Sequence, residues 1–161
     1  KFPTYSKKSM KTITHQFYDG RQEEINYINE EFPYPEGQLI ISRTDLAGNI
    51  THLNQAFVIL SGYTREELLK QPHSILRHPD MPRAAFKDLW DTVQAGKKWH
   101  GYVKNLRKDG RFYWVYATVV PNYHGDIIEG YTSVRRQPSR ENIAYYTEVY
   151  KKLLEEEKEN G

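Results

Sequence analysis

The sequence contains no cysteine. Disulfide bonds, iron–sulfur clusters and thiolate catalysis are therefore excluded. No apolar run approaches the ~18 residues that a membrane-spanning helix needs, so we expect a cytoplasmic segment that does not itself insert into a membrane. The formal net charge is only +2, from 23 basic and 21 acidic residues. Such a balance argues against a protein whose main task is to hold nucleic acid through phosphate contacts.

Aromatic residues, in contrast, make up 14% of the 161 residues, and disordered chains are poor in aromatics. The length and composition favour one compact domain with extensions. Residues 1–37 are interpreted as a polar N-terminal extension or cap, in which charges of opposite sign are segregated. Residues 38–136 carry most of the strand and helix signals and are interpreted as the domain. Residues 137–161 return to helical spacing and are interpreted as a C-terminal helical linker.

The order of local signals predicts the fold class. In the N-terminal extension, Ile25 and Ile28 would share one face of a short helix over residues 22–31. Asn54 is a suitable N-cap, Gly62 a helix stop, and Pro82 suits the first turn of a longer helix. Strands are predicted at 38–44, 50–53, 99–108, 111–120 and 127–136. We therefore predict an α+β fold: a five-stranded antiparallel sheet with short helices and one longer helix on one face, plus an N-terminal arm and a C-terminal helix.

No group of residues pairs a nucleophile with a base and an orienting partner, so the sequence does not indicate an enzyme. The unusual segment is Arg77-His78-Pro79-Asp80-Met81-Pro82, which two prolines make stiff. Arg77 can bind phosphate or carboxylate through its guanidinium fork, and His78 adds a donor. Asp80 is either the N-cap of the longer helix or a partner that orients Arg77 or a ligand hydroxyl, and the two roles are compatible.

Asn105 is the second unusual residue. Strand alternation places Trp99, Gly101, Val103 and Asn105 on one face of a strand and Lys104 on the other. If the first face is buried, the Asn105 amide must find a partner, such as the polar edge of a planar heterocycle. A solvent-facing Asn105 near the strand end is the alternative. On the next strand Tyr113, Val115 and Ala117 would face the same way, and Gly101 would leave space for a flat group.

The helix after the long loop adds Phe86 and Trp90 as a possible opposite wall. These features outline an apolar slot that contains one amide and has an Arg/His mouth. Such a slot suits a flat cofactor with a phosphate-bearing tail.

The central segment resembles the flavin-binding PAS domains of bacterial aerotaxis receptors. The resemblance rests on the Arg77–Pro82 segment, Val103-Lys104-Asn105, Asp109-Gly110 and Gly130-Tyr131-Thr132-Ser133-Val134-Arg135. It implies noncovalent binding of FAD, with the redox state of the flavin as the signal. The residues to which the resemblance gives a role in the flavin pocket are Asn54, Arg77, His78, Asp80, Phe86, Trp90, Asn105 and Tyr113.

The resemblance also implies a biological role. The domain would be a redox or oxygen sensor, the input module of a chemotaxis transducer or a related signalling protein. Without cysteine it cannot form a cysteinyl–flavin photoadduct. Its alternatives are a haem-binding PAS domain, with His73 or His78 as axial ligand, and a cofactor-free module for dimerisation.

The C-terminal helix has its own two interpretations. Its apolar stripe resembles a signalling linker that pairs in a homodimer and leads to a downstream signalling domain. Alternatively, the helix folds back on its own domain. The stripe consists of Ile143, Tyr146, Tyr150 and Leu153.

Overall fold

The structure, a computed structural model, describes residues 10–16 and 22–160. Its main sheet has five antiparallel strands in the order β4-β3-β7-β6-β5. These strands are β3 (Ile40–Asp45), β4 (Ile50–Leu53), β5 (Trp99–Leu106), β6 (Phe112–His124) and β7 (Ile127–Arg136). The predicted α+β fold with a five-stranded antiparallel sheet is confirmed.

The helices connect β4 to β5 and follow β7. They are α1 (Gln55–Ser61), α2 (Arg65–Leu68), a 3-10 helix (His73–Leu76), α3 (Arg83–Gln94) and α4 (Arg140–Glu159). In the part of the chain that the structure describes, no helix combines the length and the apolar character needed to cross a membrane.

Local signals set the ends of the short helices. The Asn54 side chain accepts a hydrogen bond from the Phe57 N–H, and Gly62 ends α1 with a φ of 76°, a left-handed conformation that favours glycine. The Thr64 and Glu67 side chains form a capping box at the start of α2. This helix is a single turn. The chain leaves it early because the Lys70 N–H bonds to the Ile50 carbonyl of β4.

The main core lies between the sheet and these helices. The buried side chains of β3, β4 and β6 pack there against those of α1, α2 and the 3-10 helix. The longer helix α3 contacts β5 and β6, and the Asp88 carboxylate on α3 accepts a hydrogen bond of 2.9 Å from the Trp99 indole on β5. We call this side of the sheet the inner face.

The N-terminal extension forms a hairpin in the described residues, and the predicted helix over residues 22–31 is wrong. Strand β1 (Met10–Gln16) pairs antiparallel with β2 (Gln22–Ile28). Ile25 packs against Leu106 of the main sheet, and the Ile28 N–H bonds to the Gly110 carbonyl at 2.7 Å. The three-residue spacing of Ile25 and Ile28 fits one face of a helix. A partner strand elsewhere in the sequence can satisfy the backbone hydrogen bonds of the segment equally well.

Helix α4 folds back on its own domain, which is the second of the two interpretations given for it. Ile143 and Tyr150 are buried against the sheet face opposite the inner one, which we call the outer face. The Tyr150 hydroxyl donates to the Tyr102 carbonyl of β5 at 2.5 Å, and the Tyr146 ring stacks on the Tyr102 ring at a centroid distance of 4.2 Å. The apolar stripe therefore covers the outer face within one chain.

A pair of substitutions on α4 tests this packing. Tyr150 is 8% exposed and Tyr145 on the same helix is 63% exposed. We expect Tyr150→Ala to lower the free energy of unfolding by about 3 kcal/mol, because a large buried ring is lost. Tyr145→Ala should lower it by less than about 0.5 kcal/mol. Urea unfolding measures both values, and equal losses would show that α4 does not pack as described.

Candidate cofactor site

A cavity of about 300 Å³ lies between α3 and the inner face of the sheet. This volume is at the lower end of the range of ~300–1,000 Å³ for small-molecule sites. Its walls are mostly apolar and include Leu89, Trp90, Val93, Val103, Val115 and Tyr131. The sheet supplies one wall and α3 the other, so the cavity depends on strand register and on the position of one helix.

Four of the eight predicted site residues line this cavity: Arg77, Phe86, Trp90 and Asn105. Asn105 is only 7% exposed, so the alternative of a solvent-facing Asn105 is wrong. The predicted alternation of β5 is confirmed here, because Trp99 and Val103 line the same cavity.

Arg77 reaches the cavity because its backbone pairs with the edge of β5. Arg77 and Asn105 form an isolated antiparallel bridge, which fixes the loop after the 3-10 helix against that strand. The Arg77 guanidinium carbon lies 4.5 Å from the centroid of the Phe86 ring on α3. A cation and an amide therefore lie close together in the wall of the cavity.

Asn54 does not line the cavity. Its Oδ1 accepts from the Ile41 N–H at 3.1 Å, and its Nδ2 donates to the Leu39 carbonyl at 2.9 Å. Together with the N-cap bond from the Phe57 N–H, these hydrogen bonds join the start of α1 to the start of β3. The structure thus gives Asn54 a local structural task.

His78 and Asp80 also lie outside the cavity, near the outer face. The buried His78 ring makes edge contacts with the Tyr27 and Phe112 rings, and its Nδ1 accepts from the Asp80 N–H at 3.0 Å. Asp80 accepts from the Lys104 ammonium at 2.8 Å. It does not cap α3, which starts after Pro82 without a side-chain cap, so that interpretation of Asp80 is wrong.

The Asp80–Lys104 pair has an electrostatic consequence. Partial burial raises the pKa of Asp80, but the hydrogen bond from Lys104 and the nearby positive charges outweigh it, and the net pKa is lowered. Lys104 lies on the face opposite Asn105, as alternation predicted, but it is buried. It is therefore a buried ion-pair partner of Asp80.

Tyr113 lies on the inner face, as predicted, but beyond the end of the cavity. It packs in the core with Phe57. Burial raises the pKa of Tyr113 to about 12, against the opposing charges of Arg135 and Arg107, so the phenol stays neutral at physiological pH. The residues that follow it on the same face, Val115 and Ala117, do line the cavity.

The space expected above Gly101 is filled by the chain itself. A Cβ at Gly101 would collide with the ring of Trp99, the preceding residue on the same face of β5. Gly48 shows a similar close approach, since a Cβ there would lie 3.1 Å from the Trp90 ring. Both glycines thus make room for tryptophans that wall the cavity.

A polar chain that the sequence analysis missed runs along the cavity. Arg135 on β7 donates to the Ser42 hydroxyl on β3 at 2.5 Å, and that oxygen lies 3.1 Å from His73 Nε2. The Ser42 hydroxyl thus links the Arg135 guanidinium to the His73 imidazole. Alternation along β7 could have indicated Arg135, because it places Tyr131, Ser133 and Arg135 on one face.

Comparisons with known proteins agree with this architecture. A family described as PAS fold matches residues 50–132. The chain belongs to the PAS-fold family. The PAS domain is 48% identical over 121 residues to the aerotaxis receptor of Escherichia coli (strain K12), an alignment that covers 75% of this chain and 24% of that protein. It is 32% identical over 106 residues to a nitrogen fixation regulatory protein of Klebsiella pneumoniae, covering 65% of this chain and 21% of that protein.

The PAS domain thus spans about a quarter or less of the length of these curated relatives. Their names designate a receptor and a regulatory protein, in agreement with the prediction that the chain is not an enzyme.

Solved structures show the same fold. A PAS domain from a Colwellia psychrerythraea protein matches with a TM-score of 0.53 and 28% identity, covering 63% of this chain and 87% of that one. The light-state structure of the blue-light photoreceptor Aureochrome1 LOV matches with a TM-score of 0.61, covering 76% of this chain and 93% of that one. At 21% identity, the latter likeness concerns the fold alone.

The buried His73 leads to a prediction on pH. Burial, assisted by the charge of Arg135, lowers the pKa of His73 from 6.5 to about 3. Below pH 6.5 His73 is protonated in the unfolded chain but stays neutral in the folded domain. The free energy of unfolding therefore falls as the pH is lowered towards 3, by up to about 1.4 kcal/mol per pH unit. We expect His73→Gln to reduce this fall between pH 6.5 and pH 5, measured by urea unfolding.

The control for His73 is the exposed His124. His124→Gln should leave the pH dependence of the wild-type domain unchanged. If His73→Gln behaved in the same way as this control, His73 would not be a buried neutral imidazole.

Proposed function

We propose that this PAS domain binds FAD noncovalently and senses redox state or oxygen, as the input module of a chemotaxis transducer or a related signalling protein. The single observation that carries the proposal is the buried amide of Asn105 in the wall of a mostly apolar cavity that Arg77 also lines. The similarity to an aerotaxis receptor, at 48% identity, supports it.

The residues around the cavity fit a flavin. The apolar walls suit a flat ring system, and the Asn105 amide offers one donor and one acceptor group to its polar edge. Two buried polar atoms of cavity-lining residues, Thr44 Oγ1 and Arg135 Nε, have no hydrogen-bond partner among the described residues. Buried polar groups are normally paired, so a ligand with polar edges would satisfy atoms that the chain leaves unsatisfied.

A second depression suits the phosphate-bearing tail. It shares Ala47, Arg77, Phe86 and Trp90 with the cavity and continues past Arg83 and Lys87 on α3. Arg83 ion-pairs there with Glu157 and Lys87 with Asp91, so phosphate oxygens would replace these carboxylates as partners of the two cations. Guanidinium and ammonium groups bind phosphate oxygens. We expect the ring to occupy the cavity and the tail to follow this groove.

Bound FAD would supply reversible electron transfer, and the chain would relay the change. Asn105 lies three residues from Tyr102 on β5, and the Tyr102 carbonyl accepts the hydrogen bond from Tyr150 on α4. A change in the hydrogen bonds of Asn105 would therefore reach the C-terminal helix along a single strand. The adjacent Lys104 ties the same strand to Asp80.

The proposal includes the setting of the domain. We propose that it acts in the cytoplasm, in a homodimer, and passes its signal to a downstream domain of the same parent protein. Because the stripe of α4 is used within the chain, such a dimer pairs through other surfaces or after α4 has left the outer face.

The haem alternative receives less support. The His78 ring is held near the outer face by Tyr27 and Phe112, away from the cavity. His73 lines the cavity, but its Nε2 is engaged with Ser42. Neither of the two candidate axial ligands presents a disengaged Nε2 to the cavity.

Absorption spectroscopy of the purified domain tests the proposal. A yellow protein that shows the visible absorption of flavin and releases FAD on denaturation, identified by mass, is the expected result. A Soret band would indicate haem instead. A protein that shows only aromatic absorption after incubation with FAD would support the cofactor-free dimerisation module and contradict our proposal.

Asn105 provides a sharper prediction. Asn105→Ala should leave ring donors and acceptors unsatisfied in a dry site, at a cost of about 1–3 kcal/mol, or roughly 5- to 150-fold in FAD affinity. Fold stability should suffer less, because the side chain borders a space meant for a ligand. Fluorescence titration of the apo domain with FAD measures the affinity.

The matched control is His100→Ala, on the same strand and exposed on the outer face, where it contacts Thr118. This variant should bind FAD as the wild type does. Equal affinity in all three proteins would show that Asn105 does not contact the cofactor.

A further inference from the structure

Helix α3 begins without a cap from its own segment, and a carboxylate from the far end of α4 takes that place. Pro82, the residue before the helix, makes no side-chain cap. The Glu157 carboxylate of α4 accepts a hydrogen bond from the Arg83 backbone N–H at 2.7 Å, and the same Oε1 lies 3.5 Å from Arg83 Nε. The start of α3 is thus held by a residue 74 positions away in the sequence.

The contact of Glu157 with α3 is suited to an anion, but it is incomplete. The first turn of a helix presents free N–H groups and the positive end of the helix dipole, which stabilise a negative charge. Glu157 uses only Oε1 there, because its Oε2 is buried without a hydrogen-bond partner among the described residues. The Arg83 side chain is 56% exposed, and exposed ion pairs add little stability. An anion with more oxygens available would therefore compete well with Glu157.

Glu157 lies in the groove that the proposed function assigns to the phosphate-bearing tail. The side chains of Arg77, Arg83 and Lys87 line the same groove. Of the two carboxylates among the described lining residues, Asp91 belongs to α3 and pairs with Lys87 of the same helix. Replacing Asp91 as a partner would move one side chain. Replacing Glu157 would remove a contact between two helices.

The remainder of α4 is anchored without Glu157. The Tyr150 hydroxyl donates to the Tyr102 carbonyl of β5, and Arg140 at the start of the helix forms an ion pair with Glu31. These contacts lie at and before the middle of α4. Loss of the Glu157 contact would therefore affect the last turn of the helix and leave the earlier turns on the outer face.

We propose that Glu157 and the phosphate tail of the cofactor compete for the start of α3, so that binding of the tail releases the last turn of α4. This inference rests on the proposed function, because it takes FAD as the ligand and the groove as the place of its tail. The coupling is reciprocal: the tail weakens the docking of the turn by as much as the docked turn weakens the binding of the tail. The end of α4 would then report loading with FAD, by a route separate from Asn105 and β5.

The first test compares FAD with riboflavin, which has the same ring system and no phosphate. Glu157→Gln keeps the shape of the side chain and removes its charge. We expect the affinity for FAD to rise about 5-fold, the size of one charge contact at a helix N-terminus, and the affinity for riboflavin to stay unchanged. Fluorescence titration of the apo domain measures both affinities.

The matched control is Glu156→Gln, which removes one charge from the adjacent, exposed position of the same helix. This variant should bind FAD and riboflavin as the wild type does. It separates the contact at the start of α3 from the general effect of a carboxylate near a negatively charged ligand.

Hydrogen exchange of the wild-type domain gives a readout that needs no substitution. FAD should accelerate the exchange of the backbone amides of residues 154–158, because the turn that contains them loses its contact with α3. Riboflavin should leave their exchange as it is without ligand. The amides of residues 143–150, earlier in α4, are the internal reference and should be equally protected in all three samples.

The inference requires both results. It is overturned if Glu157→Gln and Glu156→Gln bind FAD equally, if the affinity for riboflavin rises together with that for FAD, or if FAD leaves the last turn of α4 as protected as before. Should Glu157→Gln not fold, the exchange measurement on the wild type decides. A wild-type domain that binds neither FAD nor riboflavin contradicts the proposed function, and the inference falls with it.

Discussion

The register between β5 and β6 is the constraint on which the cavity depends. Asn105 pairs with Tyr113, and Gly101 pairs with Ala117, so these residues share the inner face. Successive side chains point to opposite faces, and a slip of one residue in one strand would exchange its complete sets of inner and outer side chains. Lys104 would then face the apolar cavity with its charge. The ion pair with Asp80 on the outer face therefore helps to keep the amide of Asn105 inside.

The edge of β5 is where the two faces communicate. The loop from Arg77 to Met81 pairs with this edge and runs from the cavity to the outer face. Arg77 bridges to Asn105 on one side, and Met81 Sδ accepts from the Lys104 N–H on the other, at 3.3 Å. An exposed edge strand would invite pairing with other chains, so this loop also protects the sheet. The stiffness that two prolines give the segment suits both tasks.

Much of the fold was predictable because its signals are local. Asn54 and Gly62 bound α1 through one side-chain hydrogen bond and one left-handed backbone conformation, and both are properties of single residues. The capping box at Thr64 needs only a partner three positions away. Alternation placed Asn105 inward correctly, because a strand with a period of two fixes the face of every residue once one face is known to be apolar.

The candidate site was predictable only in part, because its other contacts join distant positions. Arg135 and Ser42 are 93 positions apart and Ser42 and His73 are 31 apart, so no local pattern connects them. His78 and Asp80 share a rigid segment with Arg77, yet Arg77 enters the cavity while they turn to the outer face. The spacing of Ile25 and Ile28 fitted a helix. The segment forms strand β2 instead, because β1 pairs with its backbone and Leu106 packs against Ile25.

The sequence by itself determined the PAS fold, the absence of thiol chemistry and the inward position of Asn105, since composition, capping and alternation act over short distances. The tertiary structure alone decided that α4 covers its own sheet, that Lys104 is buried in an ion pair, and that Arg135 lies in the cavity wall without a carboxylate partner among the described residues. Whether a charge is compensated depends on which groups the folded chain brings within a few ångströms, and separation along the sequence does not contain that information.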